Sequence, residues 1–374
     1  MKYCMKCVTP DTRPNIRIDE SGLCSACANF GAKAKIDWDA REKALRELIA
    51  DIKQRDSGGY DCIIPVSGGK DSTWQVIKCL EYGLKILAYT WRAPGRTDIG
   101  QANLDNLIGL GVDHIDISVS PEVEKRFTMA AFRKFGSNAI PMHFGIYSTP
   151  LRLAAQMGIP LVIYGENSAF EYGNPDDAKV GCRIDENWLD KYGVTHGTVV
   201  SDWVGVDGLS MQDLQAYSAP SLDRVEKAGV RAIFLGYYLP WDVETSRKAA
   251  AAHGFKFRPG KARTGYYDYA DIDDDFISIH HWIKWYKFGF TRSFDNLSLE
   301  IRNGRISRDD AVTWLRGRGY ERPSHDILKF CDWADISEEE FDSICESFRN
   351  REIWTHDGSK WKIPDYIVKE FDWQ

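Results

Sequence analysis

No apolar run in this chain of 374 residues approaches the roughly 20 residues that a bilayer-spanning helix needs, so no helical membrane span is expected. The start, Met1-Lys-Tyr-Cys-Met-Lys-Cys7, lacks the apolar core of a signal peptide, and the expected location is cytoplasmic. Positive charge is not in excess. Lys and Arg number 48 against 55 Asp and Glu, a formal charge of −7, which argues against a long basic groove for nucleic acid. Internal repeats and low-complexity segments are absent. So is the phosphate loop of kinases and GTPases, G-x-x-x-x-G-K-[ST]: the residue after Gly69-Lys70 is Asp71, and no glycine stands five positions before Gly69.

What is present is an ordinary globular composition, 43% hydrophobic and 28% charged, with one conspicuous segment, Asp61-Cys-Ile-Ile-Pro-Val-Ser-Gly-Gly-Lys-Asp-Ser-Thr-Trp74. An apolar strand runs into a glycine-paired turn. Gly68 and Gly69 can adopt angles closed to other residues, turning successive N–H groups onto an anion. Ser67 and Ser72 add hydroxyls, Lys70 adds a point charge, and the helix expected over 72–82 points its N-terminus the same way. Asp71 beside phosphates makes sense when a Mg²⁺ lies between them. The combination points to ATP. The bland alternative is a glycine turn in a parallel sheet that binds nothing.

Nine cysteines in a reducing compartment are expected as thiols or metal ligands. Four fall in order, Cys4-x2-Cys7 and Cys24-x2-Cys27, the spacing of a tetrahedral thiolate zinc site that would stabilise a small ribbon without its own core. An iron–sulfur cluster or redox pair is the alternative. Cys62, Cys79, Cys331 and Cys345 lie in apolar patterns and read as buried. Cys182, in a polar segment, does not.

Leu45, Leu48, Ile49 and Ile52 predict an amphipathic helix over 37–55. From Tyr60 strands alternate with helices: strands over 62–66, 85–91, 114–118, 161–164 and 232–237, helices over 72–82, 98–110, 122–135, 149–157 and 219–228. That pattern implies an α/β fold, a parallel sheet with helices on both faces, whose ligands collect at the carboxyl ends of strands. Ile163-Tyr-Gly-Glu-Asn-Ser168 ends the fourth strand; there Gly165 allows close approach, and Glu166 and Asn167 offer polar tips. The long segment from Phe170 to about Tyr217 has the character of a binding loop, with Glu171 and Asn174 as candidate partners of a second substrate. The final third is helical and aromatic. Lys287 and Arg292, around Gly289, are candidates to complete the anion site. Ser307 and Ser337 open capping boxes. The adjacent His280 and His281 face different ways on a helix and are not expected to share a metal. The expected organisation is a cysteine module over 1–36, a linking helix over 37–58, a nucleotide domain over 59–255 and a mostly helical region over 256–374.

Ser67-Gly-Gly-Lys-Asp-Ser72 resembles the pyrophosphate loop of N-type ATP pyrophosphatases, of the adenine nucleotide alpha-hydrolase-like fold. That resemblance implies cleavage of ATP between the α and β phosphates, with Lys70 and Asp71 as catalytic residues. It also implies adenine seated near Tyr89, Thr90 or Trp91, and ribose and α-phosphate near Gly165. Together with Cys4-Met-Lys-Cys-Val-Thr-Pro-Asp-Thr-Arg-Pro14, Gly22-Leu-Cys-Ser-Ala-Cys27, Tyr164-Gly-Glu-Asn167 and Lys287-Phe-Gly-Phe-Thr-Arg292, the chain resembles, over nearly its full length, the bacterial N-acetyl sugar amidotransferases of lipopolysaccharide O-antigen and pseudaminic acid synthesis. This implies conversion of an acetamido group to an acetamidino group through an adenylated imidate. No glutaminase module is recognisable, and Met1-Lys2 is no N-terminal catalytic cysteine. Ammonia is expected from solution or from partners similar to the glutaminase and cyclase subunits of imidazole glycerol phosphate synthase. The rival is a tRNA sulfurtransferase, which the acidic charge and scattered remaining cysteines disfavour; a non-enzymatic zinc-ribbon binding module is the third class.

Overall fold

The computed structural model describes residues 1–55, 59–165, 171, 173, 195–318 and 322–373. Glu166, Asn167, Asn174 and Cys182 lie outside the described residues.

Five strands, β1 (Cys62–Pro65), β2 (Ile86–Trp91), β3 (Asp113–Ile117), β4 (Leu161–Tyr164) and β5 (Arg231–Phe234), form one parallel sheet in the order β3-β2-β1-β4-β5. The central strands β1, β2 and β4 are almost wholly apolar because both faces are covered, whereas the edge strand β3, Asp-His-Ile-Asp-Ile, is partly exposed along its length. Alternate residues serve opposite cores. Ile63, Leu87, Tyr89 and Val162 pack on one face, under α5 (Pro121–Phe135) and α6 (Ile140–Met157). Cys62, Ile64, Ile86, Leu161 and Ile163 pack on the other, with α2 (Trp38–Lys53) and α3 (Lys70–Glu81). The direction of chain progression reverses at β1, between β2 and β4, and the carboxyl end of β1 opens there.

α2 fulfils its pattern: Asp37 caps it by accepting from the Ala40 N–H at 2.9 Å, and Leu45, Ile49 and Ile52 are buried. α6 begins nine residues earlier than expected and runs through Pro150, a residue that deprives the Ile146 carbonyl of its helical donor. The Tyr164 hydroxyl donates to the Ile146 and Tyr147 carbonyls at 3.3 Å each. A tertiary bond replaces the helical one, which periodicity along the chain cannot reveal.

The segment expected as a binding loop up to Tyr217 is, over 195–217, largely a piece of the core. Short 3-10 turns at Val200–Trp203 and Asp213–Tyr217 bury Trp203, Leu214 and Tyr217 completely. Phe127 stacks its edge on Tyr217 at 5.0 Å and meets Trp203 at 4.9 Å. Large aromatics in an irregular stretch signalled burial here, not recognition.

After β5 come α8 (Leu235–Tyr238), preceded by α7 (Leu222–Lys227), and α9 (Val243–Ala252) against α3. The chain then crosses the strand ends. Thr97 donates its N–H to the Asp273 carbonyl at 3.0 Å and its hydroxyl to the Ile272 carbonyl at 2.6 Å, and the Asp275 N–H reaches the Gly95 carbonyl at 2.7 Å. Residues up to Asp275 thus lie on the sheet domain. The helical region follows: α10 (Ile277–Phe288), α11 (Arg292–Arg302), α12 (Arg308–Arg318), α13 (Ser324–Ala334), α14 (Glu338–Ser347) and a hairpin of β6 (Thr355–His356) and β7 (Trp361–Lys362). Both serine caps are present, Ser307 accepting from the Asp310 N–H and Ser337 from the Glu340 N–H at 3.1 Å each.

The N-terminal module is packed on this helical region. Val8, Met1 and Tyr3 join the core formed by Phe290, Phe294 and Tyr366. Arg13 pairs with Asp295 at 2.7 Å and Thr9 donates to Ser298 at 2.9 Å. No described helix is long and apolar enough to cross a membrane.

Candidate active site

The turn after β1 is built for close approach. Gly68 has φ +83°, and a Cβ there would sit 2.6 Å from the Leu104 backbone nitrogen, so only glycine fits. Gly69 is the N-cap of α3 in extended conformation, and no side chain caps that helix. The Ser72 and Thr73 hydroxyls turn back to the Gly69 carbonyl at 3.0 Å each, and Ser67 Oγ accepts from the Gly69 N–H at 3.2 Å. The first-turn N–H groups and the positive end of the helix dipole therefore face the turn without a capping side chain, the arrangement that binds phosphate. Lys70, 7% exposed, starts the helix and pairs with Asp71.

Asp71 is held from a second side. Trp241, in the loop between α8 and α9, donates Nε1–H to Asp71 Oδ1 at 3.0 Å. The Trp241 carbonyl accepts from Lys33 Nζ at 2.7 Å, and the same ammonium pairs with Glu171 Oε1 at 2.7 Å. Lys33 closes α1 (Ser25–Lys33), the helix that springs from the second cysteine pair. Ser25 Oγ donates to the Gly173 carbonyl, tying the same helix to the segment that carries Glu171. Glu171 is buried, and that burial raises its carboxyl above the usual range while Lys33 opposes the rise. It is thus linked to Asp71 through one ion pair and two hydrogen bonds, by way of Lys33 and Trp241.

Residues from the crossing segment complete the surroundings. Lys70 Nζ lies 6.0 Å above the centre of the Tyr269 ring. Burial raises the Asp273 carboxyl, and the Ser67 hydroxyl and the Lys70 charge oppose that rise. Nothing in the spacing around Asp271-Ile-Asp-Asp-Asp275 marked this approach; only a run of acids between tyrosines hinted that the segment is not plain linker. Farther along the strand ends, burial pushes Glu124 and Asp274 up to about 7 each, and both line a small cavity beside Phe276.

The remaining expected residues divide. Gly165 follows β4 directly, with Gln75 of α3 donating to the Ile163 carbonyl at 2.6 Å beside it. Tyr89, Thr90 and Trp91 are buried, and their side chains are committed: to the Gly145 carbonyl, to the Val66 carbonyl, and to Glu124, respectively. β2 is a central strand between β1 and β3, so these side chains are engaged inside the fold and the backbone at the strand end is what remains for a ligand. Lys287 is not at the turn either. It donates to the Phe135 carbonyl at 2.8 Å, at the end of α5, and burial lowers its ammonium to about 8. Arg292 pairs with Asp271 of the crossing segment at 3.1 Å.

The cysteine cluster is a second site. The four Sγ atoms of Cys4, Cys7, Cys24 and Cys27 lie within 4.8 Å of one another and all four residues are buried. Two of the S···S separations are 3.9 and 3.6 Å, against about 3.8 Å for the edge of a tetrahedron with Zn–S bonds near 2.3 Å. Cys7 and Cys24 donate backbone N–H to Cys4 Sγ at 3.5 and 3.2 Å, as expected of thiolate knuckles. Hydrogen bonds from Cys24, Cys27 and Cys4 push the Cys7 thiol far down, and the charge of buried Arg302 adds to this. The donor set fits a zinc ion.

Residues 261–367 match the family model described as LPS biosynthesis protein WbpG-like, C-terminal domain. Among solved structures, the chain is similar to a predicted subunit of tRNA methyltransferase from Methanocaldococcus jannaschii, at 17% identity and a TM-score of 0.26 over 51% of this chain and 74% of that one. It is likewise similar to NMN synthetase from Francisella tularensis, at 17% identity and a TM-score of 0.26 over 52% of this chain and 93% of that one. A search of curated proteins found no match.

Proposed function

We propose that the chain is an ATP-dependent, AMP-forming amidotransferase that converts an acetamido group of an N-acetyl sugar, nucleotide-linked and destined for surface polysaccharide, to an acetamidino group. The observation that carries this reading is the uncapped N-terminus of α3 behind Gly68-Gly69, with Lys70 and Asp71 at its first turn, at the point where the sheet reverses direction. The polysaccharide context is supported by the description of the family that residues 261–367 match.

In the proposed reaction the acetamido oxygen attacks the α-phosphorus of ATP. The Pα–O bond to the β-phosphate breaks and pyrophosphate leaves. Ammonia then adds to the imidate carbon, the C–O bond to adenylate breaks, and AMP carries away the former carbonyl oxygen. The turn and Lys70 hold the pyrophosphate, a task of positioning and charge stabilisation. Asp71, a hard oxygen donor aligned by Trp241, would hold Mg²⁺, which supplies further neutralisation of phosphate charge. The cysteine-bound zinc would be structural. Adenine would meet residues after β2 rather than the side chains of Tyr89, Thr90 and Trp91. Glu171 supports recognition of the acceptor from its place beside Lys33, and Glu166, Asn167 and Asn174 belong to the same proposal. Ammonia would arrive from solution or from a separate glutaminase with a cyclase-like partner, in the cytoplasm.

The test is release of AMP and pyrophosphate from Mg-ATP with ammonium and an N-acetylated sugar nucleotide, in parallel with tRNA plus a sulfur donor. Sugar-dependent release, abolished in Asp71→Asn, is expected. Release that depends on tRNA, or none with any acceptor, overturns the assignment.

A further inference from the structure

A cavity of about 110 Å³ lies within the helical region. Its walls come from the 261–266 loop, α10, the start of α11 and Trp314 of α12. One water needs roughly 10–15 Å³ of such space, so the cavity has room for a group of several atoms. Its lining is one-sided in charge. Lys261, Arg263 and Arg292 contribute to it and no carboxylate does, among the described residues. The balancing acids lie behind the wall, Asp271 against Arg292 and Asp275 against Arg263.

Two further features distinguish this cavity from a solvated cleft. Nε1–H of Trp282 and Nε–H of Arg263 are buried donors in its wall with no hydrogen-bond partner among the described residues. The Arg263 side chain is only 9% exposed. His281, also in the wall, turns Nε2 to Asp271 Oδ2 at 3.5 Å and Nδ1 to Lys284 Nζ at 3.3 Å. A buried donor without an acceptor is costly, so two in one wall mark a place that oxygen atoms complete. The other walls are aromatic: Trp314 meets Tyr266 edge-on at 5.5 Å, and both line the space with Trp282.

We propose that this cavity is a binding site for a sugar bearing an oxyanion, its charged group held by Lys261, Arg263 and Arg292 with the Trp282 donor, its ring against the aromatic faces of Trp314 and Tyr266. No residue of the α3 turn lines it, so the proposal stands apart from the reaction assigned to that turn. Cations and planar donors suit a phosphate or carboxylate, and flat aromatic faces suit the apolar side of a pyranose.

The test is calorimetric titration of the full chain with four probes: N-acetylglucosamine 1-phosphate, glucuronate, neutral N-acetylglucosamine and inorganic phosphate. Binding of either charged sugar, weakened about tenfold in Trp282→Phe and in Lys261→Glu, is expected. The tighter of the two identifies phosphate or carboxylate as the anion. Trp282→Phe keeps an aromatic side chain while removing the indole donor, and Lys261 is exposed, so both variants should fold, as far-ultraviolet circular dichroism would verify. Affinity for a non-hydrolysable ATP analogue should stay unchanged in both. The proposal is overturned if neither charged sugar binds, if the neutral sugar binds equally well, if inorganic phosphate binds as tightly as the sugar phosphate, or if the variants bind like the parent.

Discussion

Trp241 donates its indole N–H to Asp71 across 3.0 Å, fixing the orientation of the one carboxylate in the α3 turn. Hydrogen bonds to a charged acceptor contribute on the order of 1.5–3 kcal/mol. Trp241→Phe should lower sugar-dependent ATP turnover about tenfold or more, and raise the Mg²⁺ concentration needed for half-maximal rate. Unchanged magnesium dependence in a folded Trp241→Phe protein would show that this bond does not position Asp71.

Gly68→Ala places a Cβ against the Leu104 backbone and asks an L-residue to hold φ +83°. The conformational part alone costs about 1–2 kcal/mol, and backbone cannot yield as a side chain would. Loss of nucleotide binding by calorimetry and a lowered thermal midpoint are both expected. A Gly68→Ala protein that binds ATP like the parent would contradict the geometry of the turn.

Cys24→Ser removes one of the four buried thiolates around which the N-terminal module is organised. Structural zinc sites contribute folding energy directly, so the variant should lose its metal and unfold about 5 °C or more below the parent. Metal content by atomic emission and thermal unfolding check this together. Zinc absent from the parent chain would refute the metal assignment outright.

Glu124 has a carboxyl pushed up to about 7 by burial, against an ordinary value of 4.5. Between those values the folded chain binds more protons at this group than the unfolded chain, so stability falls as pH rises. The contribution is complete below about pH 4.5, declines through pH 7 and is lost above it. Its size is on the order of a few kcal/mol. Glu124→Gln keeps an acceptor for the Trp91 indole and removes the titration. Its stability should gain on the parent as pH is raised from 5.5 to 8; parallel profiles would show that Glu124 is not held protonated.

The strands, α2 and the α3 turn could be read from the chain because each rests on local signals: alternation between two apolar faces, a 3.6-residue stripe, and glycines where only glycine fits. The four cysteines were legible for the same reason, since metal ligation imposes its own spacing. What escaped depends on partners distant in sequence. α6 continues through Pro150 because Tyr164 comes back to its carbonyls. Asp71 is oriented by Trp241, 170 residues later. Lys287 looked like an anion ligand because it is a cation beside a glycine turn, yet its neighbour is the Phe135 carbonyl. A run of polar and aromatic residues looks alike whether it lines a site or fills a core, and Trp203 and Tyr217 fill one.

The meeting of the two chain ends has a temporal side. Thr9 bonds Ser298 and Arg13 bonds Asp295, contacts spanning 289 and 282 residues, and Arg302 supplies positive charge to the cysteine cluster. During synthesis at roughly 5–20 residues per second, the first thiolates emerge about 15–60 s before their cation. Until then the cluster has only its metal to offset its charge. Nascent chains short of Arg302 should therefore hold zinc more loosely than the full chain, because the cation that offsets the thiolates is made long after them.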